Sequence, residues 1–324
     1  MLAQTVDRLA GLVPPENILI ITNTEQVAGV REVCPQLAPE QVVAEPVGRD
    51  TAAAVGLAAL LVARRDPEAV FAMLPADHVI HDGAGFRKTL QDAFAVALKE
   101  PALVTVGIKP TSPATGYGYI QAGEALDGEK NPVYRVKRFV EKPSLEKAES
   151  YIASGDYYWN AGMFVWTVDA IRGAFAKHAP ELNRGLQAME SDLAAGQRLE
   201  TVLAKHYPSL EKISIDFAIM EKAENRLTVP SSFDWDDVGE WPAVARHHQP
   251  DAQGNVTRGH ALVHQAGGNI ILSEGQHLVA ALGVDDLIVV HTAEATLICP
   301  KNRAQDIKKL LAELYARPEL KFTV

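Results

Sequence analysis

Cysteine is nearly absent. Cys34 and Cys299 are the only two in 324 residues, which excludes a disulfide framework and a cysteine-based zinc site and suits two thiols in a reduced cytoplasm. The ten histidines show no zinc-like spacing. Positive charge is also in deficit: 31 Lys and Arg stand against 41 Asp and Glu, a formal net charge of -10. No global basic field exists to hold a nucleic-acid backbone or an anionic membrane, so any anionic ligand must be met by local lysines, arginines or helix N-termini. No apolar run approaches the ~20 residues that span a bilayer. Met1-Leu2-Ala3-Gln4-Thr5 lacks the basic start and apolar stretch of a signal peptide, and a cytosolic location is expected. What is present, 47% hydrophobic residues, suffices to bury a core and offset ordering entropy. The length is too great for one average domain and too short for three.

Leu2, Val6, Leu9 and Leu12 recur at helical spacing, and the run Ile18–Ile21 that follows reads as a strand. Helices are expected near 25–33, 51–65 and 86–98, with strands at 41–44, 69–74 and 103–107; such alternation predicts a parallel sheet covered on both faces. From about Tyr117 to Val140 the pattern changes to shorter strands with Gly, Asp and Asn turns, then returns to helices near 145–154 and 168–178. The polar stretch from Pro180 to His206 reads as one long, solvated helix. The turn-rich segment His248–Gly254 marks a linker. Short β-segments follow at 261–264, 269–272, 278–281, 287–291 and 295–299, then a helix near 303–314. We expect one domain over residues 1–249 and a smaller all-β unit over 250–324, with spacing too irregular to assert a repeat. A doubly wound sheet normally starts with a strand whose turn holds phosphates at the next helix N-terminus. Here the reading starts at the helix, and no glycine-rich loop precedes it.

Several segments carry residues suited to chemistry. Leu74-Pro75-Ala76-Asp77-His78 places a carboxylate just past a buried strand, where open α/β sheets bind ligands. Asp236 and Asp237 lie in Trp235–Gly239. Two aspartates brought together can hold Mg²⁺ while phosphates fill the remaining octahedral positions; taken alone, either motif reads first as a surface turn with a capping aspartate. In Glu45–Ala52 either Asp50 or Thr51 fits an N-cap. Glu45 can accept from N1–H and N2–H₂ of guanine, leaving Arg49 for phosphate, although a simple capping loop has the same composition. Thr115-Gly116-Tyr117-Gly118-Tyr119 pairs close backbone approach with rings that can lie against a sugar, or forms a β-turn. Glu141 and Lys142 set a hydroxyl-binding carboxylate beside a phosphate-binding ammonium, or form a surface ion pair. Asn160 stands alone among small and apolar neighbours, fit to orient a sugar hydroxyl or to serve as a buried structural amide. His78 reads as structural.

In this order the motifs resemble the mannose-1-phosphate guanylyltransferases of the sugar-nucleotidyltransferase superfamily. The match runs through Glu45–Ala52, Leu74–His78, Gly107–Tyr119, Arg138–Pro143, Trp159–Trp166, Ile213–Lys222, Trp235–Trp241 and Gly283–Lys301. The resemblance implies an α/β, Rossmann-like nucleotidyltransferase domain followed by a left-handed β-helix-like domain, commonly a dimer contact. It also implies conversion of mannose 1-phosphate and GTP to GDP-mannose and pyrophosphate with Mg²⁺. By position Asp77 and Asp237 become the metal carboxylates, with Lys142 at the sugar phosphate as the third catalytic group. Glu45, Arg49, Asp50 and Thr51 fall at the guanosine, and Gly116, Tyr117, Glu141 and Asn160 at the mannose.

The departure is at the start. Family members open with a strand and a G-G-x-G-T-R-L-W-P loop followed by a lysine, and neither occurs here. Met1–Val6 resembles the family's first helix, so roughly 35 residues of a strand–loop–helix unit are expected to be missing. A noncatalytic homologue that keeps a sugar-nucleotide pocket is the alternative this absence raises.

Overall fold

A computed structural model describes residues 1–129, 131–317 and 319. The chain forms two compact units, Met1–Trp235 and Asp236–Val324. The first unit opens with α1 (Leu2–Arg8), β1 (Ile20–Asn23), α2 (Val27–Val33), β2 (Val42–Glu45), α3 (Asp50–Arg65), β3 (Val70–Met73), α4 (Gly83–Lys99) and β4 (Leu103–Ile108). It continues with β5 (Tyr119–Ala125), β6 (Tyr134–Val140), α5 (Leu145–Ser154), β7 (Tyr157–Thr167), α6 (Val168–His178), α7 (Pro180–Ala194), α8 (Leu199–His206) and β8 (Arg226–Pro230). Local chemistry sets several ends. The Asp82 carboxylate caps α4 by accepting from Gly85 N–H at 2.9 Å, and the Thr167 hydroxyl caps α6 through Ala170 N–H at 3.0 Å. Gly155, at φ +79°, closes α5 in the left-handed conformation.

Six strands form one sheet in the order β3-β7-β4-β8-β6-β5, and β1 pairs with β2 in a separate parallel ribbon. The all-parallel expectation fails. Within the six-stranded sheet only β4 and β8 run parallel, because the eleven-residue β7 inserts antiparallel between β3 and β4. Its residues serve both faces: Phe164 and Trp166 enter one core, Met163 and Val165 the other. With apolar side chains on both sides, β7 lacks the alternation that marks a half-exposed strand. β3 is split in the same way, Phe71 and Met73 facing one core, Val70 and Ala72 the other. Residues of α3, α6, α7 and α8 build the first core, and those of α4 and α5 contribute to the second.

The segment Pro180–His206 is not one solvated helix. It breaks at Gly196, where φ is +86°, and Leu182, Leu186, Met189, Leu193, Val202 and Leu203 are buried in the first core. Its charged residues hide an apolar stripe at helical spacing. Among the described residues no helix is long and apolar enough to cross a membrane.

The second unit holds α9 (Trp241–Arg246), β9 (Val256–Arg258), β10 (Ala261–His264), β11 (Ile270–Ser273), β12 (Val279–Leu282), β13 (Leu287–His291), β14 (Thr296–Pro300) and α10 (Ile307–Tyr315). Strand β11 pairs parallel with both β9 and β13, stacking Val256, Ile270 and Ile288 in a buried column. β10 pairs parallel with β12, while β14 turns back antiparallel on β13. The partners Ala261 with Val279 and Ile270 with Ile288 define a coil of 18 residues, a repeat that the sequence reading does not assert. The preceding step, Val256 to Ile270, is 14; unequal coils hide the period even though the inward positions repeat.

A buried asparagine ladder holds these coils. Asn255 Oδ1 accepts from Asn269 N–H at 3.0 Å and from its Nδ2 at 2.9 Å, while Asn269 Oδ1 accepts from Leu287 N–H at 2.9 Å. Asn269 Nδ2 also donates to the Val284 carbonyl at 2.8 Å. Asn269→Ala leaves the Leu287 amide and the Val284 carbonyl without these partners, at about 1–3 kcal/mol for each group left unsatisfied. Denaturant unfolding is expected to show a loss of about 2–5 kcal/mol, with faster hydrogen exchange at Leu287 than at amides of the six-stranded sheet.

Candidate active site

The β4–β7 ladder slips between Thr105 and Gly107, and β7 bulges there. The bulge, with Gly162 at φ +64°, lies directly after Asn160, which pairs with Gly107 at its edge. Asn160 Oδ1 accepts from Gly162 N–H at 3.0 Å and from the Thr105 hydroxyl at 3.3 Å. That fixes the amide orientation, and Nδ2 donates to Asp216 Oδ1 at 3.0 Å. Asn160 N–H donates to the Gly118 carbonyl at 2.8 Å, bringing the Gly116-Tyr117-Gly118 turn alongside. A Cβ on Gly118 would lie 2.5 Å from Glu141 Oε2 and 3.3 Å from Asn160 Cβ. Only glycine lets the Glu141 carboxylate lie there. Glu141 is 3.3 Å from Lys142 Nζ; the carboxylate side chain is 13% exposed and the lysine 64%. Burial pushes the Glu141 carboxyl up, Lys142 pulls it down and Glu221 pushes it up again, with a net rise.

A line of contacts runs from this cluster to Asp77. The Tyr117 ring meets Trp159 edge-on at 5.0 Å and Trp235 at 5.2 Å. Trp235 Nε1 donates to His78 Nδ1 at 3.0 Å. An indole N–H can only donate, so neutral His78 carries its proton on Nε2, which lies 3.9 Å from Asp77 Oδ1. His78 is buried, as a structural histidine would be, and the Asp77 side chain is 79% exposed.

The Glu45–Ala52 loop is tied to residues 207–215. The Tyr207 hydroxyl donates to Glu45 Oε1, occupying one of the two oxygens expected at guanine. Burial raises the Glu45 carboxyl and this hydrogen bond lowers it, leaving it above its ordinary value. The Arg49 guanidinium donates to the Pro208 carbonyl. Neither Asp50 nor Thr51 caps α3 in the expected way: Arg49 occupies the N-cap position and the helix starts at Asp50. Asp50 sits at φ +64° with its own Oδ1 accepting from Thr51 N–H at 2.7 Å, and the Thr51 hydroxyl accepts from Ile215 N–H at 2.8 Å.

The pair Asp236-Asp237 separates into two roles. Asp236 is held by Arg246 Nε at 2.7 Å, Arg246 Nη2 at 2.8 Å and His247 Nε2 at 2.9 Å. Burial pushes its carboxyl up, but these partners outweigh burial and hold it below its usual range. Asp237 Oδ1 accepts from Gly239 N–H at 3.1 Å. Val238 between them takes φ +47°, a conformation a β-branched side chain resists. Asp50, Lys142 and Val238 are three of the five described non-glycine residues at positive φ. Each lies in or beside a segment singled out for chemistry, the placement expected of strain retained at a working site. Among the described residues no group of three or more His, Cys, Asp or Glu could hold a metal ion.

The structure therefore gathers Gly116, Tyr117, Glu141, Lys142 and Asn160, links them by contacts to Asp77, and ties Glu45, Arg49 and Thr51 to residues 207–215. Asp237 belongs to the second compact unit. Asp216 is the residue the sequence reading leaves without a role. It lies within the matched segment Ile213–Lys222, but nothing in its immediate neighbours assigns it a role of its own.

Two family models match: nucleotidyl transferase over residues 1–254, and the MannoseP isomerase/GMP-like beta-helix domain over 263–314. The mannose-1-phosphate guanylyltransferase of Klebsiella pneumoniae is 39% identical over 311 residues, 95% of this chain and 65% of that protein. The chain thus spans a little under two thirds of that relative's length. A crystal structure of mannose-1-phosphate geranyltransferase from Thermus thermophilus superposes with a TM-score of 0.81 at 35% identity, covering 96% of this chain and 88% of that one. A mannose-6-phosphate isomerase from Helicobacter pylori does so at 0.60 and 29%, covering 72% and 89%. The family resemblance carried by the motifs holds along nearly the whole chain: it belongs to the nucleotidyl transferase family, with a β-helix-like unit after the α/β unit.

Proposed function

We propose that the chain carries mannose-1-phosphate guanylyltransferase activity, converting mannose 1-phosphate and GTP to GDP-mannose and pyrophosphate with Mg²⁺. The observation that carries this reading is the convergence of the Gly118 turn, Glu141-Lys142, Asn160 and the 207–216 segment, which together join the sugar-side residues to the Glu45–Thr51 loop. Gly116, Tyr117, Glu141 and Asn160 hold the mannose. Glu45, Arg49, Asp50 and Thr51 hold the guanosine, Glu45 through the oxygen that Tyr207 leaves open. Lys142 faces the sugar phosphate and draws its oxygen toward the α-phosphorus of GTP, from which pyrophosphate departs in line. Positioning and charge stabilisation do the work and no covalent enzyme intermediate is needed. Asp77 and Asp237 offer hard oxygen donors suited to Mg²⁺, and the 79% exposure of the Asp77 side chain leaves its carboxylate accessible to a cation. The ion would supply offsetting charge between two anionic substrates.

The catalytic domain on this reading is residues 1–249 and the β-helix-like domain 250–324. Exposed Leu262, Leu278, Leu282 and Ile298 on the latter suit a homodimer contact. The net charge of -10 fits a cytoplasmic enzyme without nucleic-acid or membrane partners.

Pyrophosphate release from GTP, mannose 1-phosphate and Mg²⁺ tests the reading; GTP is expected to exceed ATP and UTP. Equal turnover of the three removes the guanine assignment. Binding of GDP-mannose without turnover replaces the enzyme by a sugar-nucleotide-binding protein. Gly118→Ala is expected to raise KM for mannose 1-phosphate about tenfold, the scale of one displaced charged hydrogen bond, with KM for GTP unchanged. Steady-state kinetics on the purified variant check it.

A further inference from the structure

Asp216 opens a five-residue π-helical turn, Asp216–Met220, whose last three residues are buried. Such turns are rare and frequent at functional sites. Here the turn anchors Ala218, Ile219 and Met220 in the first core and leaves the carboxylate beside Asn160. The Asn160 amide is largely committed: its oxygen has two donors and one of its N–H bonds goes to Asp216, so one N–H remains for a ligand. Asn160 therefore cannot accept from a hydroxyl. Acceptors must come from elsewhere, and the nearby charged groups are Glu141 and Lys142, both of which act on Asp216 electrostatically. Asp216 and Glu141, with Glu221 also acting on Glu141, outnumber Lys142 and make this cluster net negative. Its carboxylates suit hydroxyl donors, while the largely exposed Lys142 leaves an ammonium for phosphate at the outer edge.

We propose that Asp216 is a sugar-contacting residue which, together with Glu141, accepts hydrogen bonds from hydroxyls of the sugar while Asn160 holds its carboxylate in place. The inference rests on the guanylyltransferase reading and deepens it: the pair orients a polyhydroxylated ligand with its hydroxyls toward Asp216 and Glu141 and its phosphate away from them, on the Lys142 side. A raised Asp216 carboxyl, pushed up to about 6 mainly by burial and then by Glu141, agrees with a group kept charged in an unfavourable setting for a purpose other than stability.

The test compares wild type with Asp216→Asn, which keeps the shape and an oxygen to accept from Asn160. Pyrophosphate release is measured against mannose 1-phosphate, GTP and a panel of monodeoxy mannose 1-phosphates, and GDP-mannose binding is followed by calorimetry. KM for mannose 1-phosphate is expected to rise about tenfold to a hundredfold, as for a lost hydrogen bond to a charged group, with KM for GTP within twofold. One deoxy analogue that is penalised with wild type loses that penalty in the variant, a coupling that a purely structural role does not produce. An unchanged KM and unchanged deoxy penalties overturn the assignment while leaving the enzyme reading intact. A folded wild type that neither turns over nor binds GDP-mannose overturns the enzyme reading, and the assignment with it.

Discussion

Asp77→Asn and Asp237→Asn are each expected to lower Mg²⁺-dependent pyrophosphate release by a hundredfold or more, about 3 kcal/mol or above in transition-state stabilisation, without weakening the fold. The two halves of that expectation have separate causes. Asp77 projects a side chain 79% exposed whose ion pair with His78 is a long 3.9 Å approach, so removing its charge takes little from the folded state. Asn at 237 keeps the Oδ1 that accepts from Gly239 N–H. Turnover is different, because a neutral amide is a poor ligand for a hard divalent cation. Steady-state rates at saturating Mg²⁺, with thermal melting as the control, separate the two effects. Normal rates in both variants remove the metal assignment. A lower melting temperature that tracks the lost rate turns either residue into a structural one.

How much of this was legible beforehand depends on which force fixes each residue. Helices α3 and α4 follow from their composition and length and strands β3 and β4 from short, strongly apolar runs, and they lie within a few residues of expectation. β7 escapes because Asn160, Gly162 and the bulge between them interrupt its apolar run, and the core role of Leu182, Leu186, Met189 and Leu193 escapes because charged neighbours mask the stripe. At the site, Glu141 and Asn160 stand out as polar side chains in apolar or glycine-rich settings. Asp216 and Tyr207 do not, since their roles come from tertiary contacts: Asp216 with Asn160 across 56 residues and Tyr207 with Glu45 across 162. The Asn255–Asn269 ladder likewise needs the coil before its logic shows.

Asp216→Asn is also expected to stabilise the fold at neutral pH, even as it weakens sugar binding. Burial and the charge of Glu141 push the Asp216 carboxyl up, against smaller opposing effects from its own backbone hydrogen bond, Asn160 and Lys142, to about 6 from an ordinary 3.8. The folded chain therefore holds a proton here that the unfolded chain has already lost between those two values. Stability falls as pH rises through that interval, and above about 6 the folded state carries the full cost of the charge. At about 1.4 kcal/mol per pH unit, the cost reaches at most about 3 kcal/mol. Asparagine removes it. Denaturant midpoints measured from pH 4 to pH 8 are expected to coincide for wild type and variant at the acid end and to separate progressively toward neutrality, the variant being the more stable. Parallel curves, or a variant less stable at pH 8, would show that the carboxylate contributes to the fold. A gain in stability joined to a rise in KM for the sugar phosphate would identify a charge retained for binding.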